Sequence, residues 1–212
     1  MQTYDVGHYI SRQTQGLSDP RVRSLFQSLF VRLSVEREPD SCFKYAAMSA
    51  LCLKALGHDA SIRVGTLECF YEGIDIPHVW CELDGHVYDL GIYGSVHYSD
   101  KNAASCRMSK LQEWELPVVN EAYDDIWFAR YQASTLFNRW RVFETLEDMC
   151  LRDYFDKMPG SSGRKCWLQM LEALRLDCGL AIQEAGLKGL AAAMGFPRSS
   201  EIAVCERGRD RM

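Results

Sequence analysis

The stretch IPHVWCELDGHVYDLG, Ile76 to Gly91, constrains this chain more than any other. An Asp-Gly dipeptide between two alternating apolar segments specifies a hairpin with a two-residue loop. With Asp84-Gly85 as that loop, Leu83 faces His86, Glu82 faces Val87 and Cys81 faces Tyr88. Continued outward, the ladder sets Trp80 opposite Asp89 and His78 opposite Gly91. Side chains alternate between sheet faces, so His78, Trp80, Glu82, Val87 and Asp89 share one face. Val79, Cys81, Leu83, Tyr88 and Leu90 share the other. Asp89 becomes the diagonal neighbour of His78, within reach of an imidazole–carboxylate hydrogen bond. A one-residue slip would send Asp89 to the wrong face, so the loop length carries the inference.

The segments around the hairpin set the fold class. DPRVRSLFQSLFVRL has apolar residues at helical spacing, with Asp19 as its cap and Pro20 in its first turn. A second helix is expected from Cys42 to Leu56, closed by Gly57 as a left-handed cap. SIRVGTLECF reads as a strand with an irregularity at Gly65. Residues 95–117 read as loop-rich, and the chain beyond Asp124 reads as helical, broken at MPGSSG, with helices over Arg164–Leu176 and Leu180–Met194. Helix, then strands, then helices is an α+β pattern. The expected organisation is a core over residues 1–120 and a helical extension, packed on it, over residues 121–212.

Composition excludes several function classes. The net charge is −5 and no Lys/Arg block occurs, which argues against nucleic-acid and anionic-membrane binding. No apolar run is long enough for a transmembrane helix, and the N-terminal residues lack a signal-peptide pattern. The nine cysteines are scattered, odd in number and without C-x-x-C spacing, so neither a zinc site nor a disulfide framework is expected. Reduced thiols in a cytoplasmic protein are expected, most of them buried and inert.

One thiol differs from the rest. Asp40 or Ser41 can cap the second helix, which puts Cys42 in its first turn, where unpaired N–H groups favour a thiolate. Asp40 opposes this, and an imidazolium from His78 would favour the thiolate strongly. Asp89 would fix the imidazole tautomer, giving nucleophile, base and orienter. The helix after Cys42 is rich in small residues (Ala46, Ala47, Ser49, Ala50), which let it lie close to a sheet. That closeness is expected to bring Cys42 over the face that carries His78 and Asp89. The N–H of Cys42 is one oxyanion donor, with Gln27 considered for the second.

A cysteine at a helix start, then PHVW, a tight turn and an Asp, resembles the transglutaminase-like superfamily of papain-type thiol enzymes. ALGHDASIRVG is similar to the segment that follows that family's catalytic helix. The resemblance spans roughly residues 39 to 94. It implies a papain-like core, a catalytic helix packed on an antiparallel sheet, with Cys42 as nucleophile, His78 as base and Asp89 as orienter. The Arg-Gly-Gly-x-Cys motif of arylamine N-acetyltransferases is missing, as is an acidic loop of the kind that binds calcium in animal transglutaminases.

The expected function is therefore a cysteine-dependent enzyme acting on an amide or acyl bond through a thioacyl intermediate: a peptidase, amidase or glutamine deamidase. The alternatives are acyl transfer to an amine and an inactive binding module of the same fold. No cofactor or metal is required. The expected substrate is a protein, a peptide or a small amide.

Overall fold

The computed structural model describes residues 18–36, 42–69, 74–84, 86–91, 128–133 and 146–198. The first helix, α1, is Pro20–Glu36. Asp19 caps it: Oδ1 accepts from the Arg21 N–H at 2.9 Å, one of the donors that a helix start leaves unpaired. Val22, Leu25, Phe26, Leu29 and Phe30 are buried, as the helical spacing requires.

The second helix, α2, is Cys42–Ala55. Gly57 closes it at φ 95°, a conformation that a side chain would oppose. The Gly57 N–H donates to Lys54 O and the His58 N–H to Leu53 O, both at 3.0 Å, which is a Schellman closure. The His58 ring reaches back to Asp19 Oδ2 at 3.0 Å, tying the end of α2 to the start of α1. Hydrogen bonds from Arg21 hold the Asp19 carboxyl well below the usual carboxylate range, against the opposing effect of burial. Asp19→Ala removes the cap and this tie together. Its expected cost is about 1–2 kcal/mol, checked by urea denaturation, and a loss no larger than at an exposed control site would contradict the capping role.

Four antiparallel strands follow: β1 Ala60–Cys69, β2 Ile74–Leu83, β3 His86–Tyr88 and β4 Phe128–Ala133. Their order is β3-β2-β1-β4. Leu83 pairs with His86, Glu82 with Val87 and Cys81 with Tyr88, the register the Asp-Gly loop specifies. Asp84 has φ 52°, the left-handed conformation that a primed hairpin turn needs at its first position.

Three expectations are corrected here. β1 runs without interruption through Gly65 against β2; the irregularity lies at Glu68/Cys69, against β4. The region after Asp124 is not wholly helical, because residues 128–133 supply the sheet's fourth strand. The free edge of β1 offers a row of backbone donors and acceptors, and pairing with it overrides a weak helical pattern. The expected helix from Leu180 begins only at Glu184, the backbone being extended at Gln183.

The remaining elements are α3 Leu151–Asp156, α4 Ser162–Glu172, a π-helical turn Ala173–Asp177 and α5 Glu184–Ala192. The expected break falls at Met158–Ser161, between α3 and α4. Both α4 and α5 pack on α2. Phe43 meets Phe196 edge-on at 5.8 Å, and Phe196 meets Tyr154 at 5.1 Å. A single hydrophobic cluster therefore runs from Val22 to Phe196, across the expected boundary at 120/121, which itself lies outside the described residues. The architecture is α+β. Among the described residues no helix is long and apolar enough to cross a membrane.

Candidate active site

Every residue of α2 from Cys42 to Leu53 is buried. A helix without a solvent face must be enclosed by other elements. Here β1 and β2 cover one side, with α1, α4 and α5 around the rest. The cluster that contains α2 takes Ala60, Ile62, Val64, Val79, Cys81, Leu83, Tyr88 and Leu90 from the sheet region. Those are residues of the apolar face. Trp80, on the face of His78, is buried but lies outside that cluster. The body of α2 thus covers the face opposite the one expected. The physical reason is that a buried, mostly apolar helix needs an apolar floor, and the other face carries Arg63 and Glu82, paired at 3.0 Å.

Cys42 nevertheless meets His78, because α2 begins where the edge strand ends. β3 stops at Tyr88, so the expected pairings of Trp80 with Asp89 and His78 with Gly91 do not form. The chain leaves the ladder at Asp89 and passes the first turn of α2. There Gly91 lies against Cys42: a Cβ built on Gly91 would stand 2.6 Å from Cys42 Cα.

This departure from the ladder brings the three predicted residues together. His78 Nε2 lies 2.6 Å from Asp89 Oδ2. Cys42 lies close enough to the His78 ring to favour its charged form. His78 and Asp89 are each 2% exposed and Cys42 is 6% exposed. Burial opposes charge on the His78 ring, but the Asp89 carboxylate and its hydrogen bond, helped by Cys42, outweigh it and raise the ring to about 10. The carboxylate thus favours the protonated form of the ring.

The other described thiols lie in different surroundings. Burial pushes Cys52 and Cys81 well up, and Cys178 up to about 11. Cys42, Cys52, Cys81, Cys150, Cys166 and Cys178 are free thiols. Among the described residues, no group of three His, Cys, Asp or Glu side chains is placed to hold a metal ion. Gln27, considered as an oxyanion donor, is instead exposed on α1 and borders a surface hollow with Leu176 and Asp177.

Two residues near the site had no assigned role in the sequence. Gly91 is one; its only signal was its place two residues after Asp89. Tyr154 of α3 is the other. Burial pushes its hydroxyl well up, and its ring packs on Phe196, which in turn meets Phe43, the neighbour of Cys42. Comparison with protein-family models, with curated proteins and with solved structures found no match for this chain.

Proposed function

We propose that this chain is a cysteine-dependent enzyme acting on an amide or acyl bond, with Cys42 as nucleophile, His78 as acid–base and Asp89 as orienter. One observation carries the reading: a buried His78 ring held at 2.6 Å by the Asp89 carboxylate, with the helix-start thiol of Cys42 close by and the ring's charged form favoured. This is the arrangement in which the proton resides on the ring and the sulfur attacks as an anion.

Cys42 Sγ adds to the carbonyl carbon of the substrate. The C–N bond breaks, and His78 gives its proton to the departing amine, leaving a thioester on Cys42. A water molecule then attacks the thioester. His78 takes its proton and returns it to the sulfur or retains it as the ion pair, and the carboxylic acid departs. An amine in place of water would make the same intermediate an acyl donor. Hydrolysis is the favoured outcome. The helix start beside an antiparallel sheet, with His78 and Asp89 brought together at the β2–β3 hairpin, supports a papain-like, transglutaminase-type core. The proposed substrate is a protein, a peptide or a small amide, and the proposed setting is the cytoplasm.

Iodoacetamide labelling at pH 7, followed by peptide mass analysis, tests the reading. Cys42 is expected to be carbamidomethylated at least tenfold faster than any other cysteine, despite its burial. If Cys42 reacts no faster than the other eight of the nine, the thiol-enzyme reading fails.

A further inference from the structure

We infer that Gly91 is a positioning residue of this site: its missing side chain lets the backbone beyond Asp89 lie against Cys42 and so sets the spacing of nucleophile, ring and carboxylate. The inference rests on the proposed thiol chemistry and adds a fourth residue to it.

The geometry is specific. A Cβ on Gly91 would stand 2.6 Å from Cys42 Cα, 3.0 Å from Cys42 Cβ and 3.4 Å from Asp89 Oδ1. The first of these is a contact to backbone, which no rotamer change relieves. The same added carbon would touch two members of the site at once, the nucleophile and the orienter. Backbone conformation is not what demands glycine here. The positive-φ glycines among the described residues are Gly57, Gly160 and Gly179, and an added Cβ at each of those three meets nothing within 4 Å. Gly91 is the converse case, where space alone excludes a side chain.

The consequence follows from rigidity. Cys42 cannot retreat along α2, whose next eleven residues are buried and close-packed. Asp89 cannot retreat without stretching its 2.6 Å bond to His78. A methyl group at position 91 must therefore open the Cys42–His78 distance or the Asp89–His78 distance. Displacements of about 1 Å in such a constellation slow chemistry by up to about 100-fold.

The test compares wild type with Gly91→Ala, reading the rate of Cys42 carbamidomethylation across pH 5–9, with circular dichroism and melting as controls of folding. Gly91→Ala is expected to slow Cys42 at pH 7 by about tenfold or more and to change the shape of its pH profile, while the other cysteines keep their rates. A variant whose Cys42 keeps the wild-type rate and profile overturns the inference and leaves the thiol-enzyme reading intact. A wild type whose Cys42 is slow overturns both. Should Gly91→Ala fail to fold, a measurement on the wild type decides. Carbamidomethylation of Cys42 must shift the Gly91 amide and Cα resonances by NMR and leave those of Gly160 and Gly179 in place. Unshifted Gly91 resonances overturn the inference.

Discussion

Asp89→Ala is expected to lower the melting temperature by about 10 °C, the largest stability effect of any single substitution in the site. Its carboxylate is buried and shares a 2.6 Å bond with an equally buried imidazole. Removing one partner of a buried pair leaves the other without compensation, at a cost of about 3–5 kcal/mol. For a chain of this length each kcal/mol is worth about 2–4 °C. The effect is not confined to a missing charge. Asp89→Asn preserves shape and a hydrogen-bond acceptor but cannot stabilise an imidazolium, so a smaller loss is expected, with the His78 ring neutral at pH 7. Calorimetry of the two variants beside wild type checks the order. Wild-type melting in Asp89→Ala would mean that the pair contributes nothing to the fold, and the site would lose its rigid anchor.

That anchor was legible in the sequence because hairpin geometry is local. Asp84-Gly85 fixes a two-residue loop, the loop fixes the pairing of Leu83 with His86, and side-chain alternation does the rest. The caps at Asp19 and Gly57 were legible for the same reason: each is satisfied by residues within a few positions. What escaped the sequence depends on distant partners. Phe128–Ala133 is a strand because the edge of β1 needs a ladder, a demand written more than fifty residues earlier in the chain. The side of the sheet that α2 covers follows from the helix being enclosed all round, which its small residues permit but do not specify. The ladder ends three pairs short of His78 and Gly91, because the contact of Gly91 with Cys42 is tertiary and does not show in the hairpin's own pattern. The pairing of His78 with Asp89 survives this departure. Proximity in the hairpin delivers the carboxylate, and the turn after Tyr88 then brings both groups to the helix start.

His78→Ala is expected to slow carbamidomethylation of Cys42 at pH 7 by on the order of 100-fold, toward the rate of an ordinary buried thiol. The ring lies beside the thiol, and in the proposed chemistry its charge favours an anion there. Alanine removes both. The ring's titration offers a second readout that does not depend on finding a substrate. Its folded pKa of about 10 lies above the unfolded value near 6.5. Between these values the folded chain holds a proton that the unfolded chain has lost, so stability falls as pH rises. The contribution is fully present below about 6.5 and is gone once pH passes through about 10, with a slope of up to about 1.4 kcal/mol per pH unit. Urea denaturation of wild type between pH 6 and 10 is expected to show this decline, and His78→Gln to lack most of it. Equal slopes in the two chains would mean that the ring is not charged in the folded state. The sulfur would then have lost the partner on which the proposed chemistry depends.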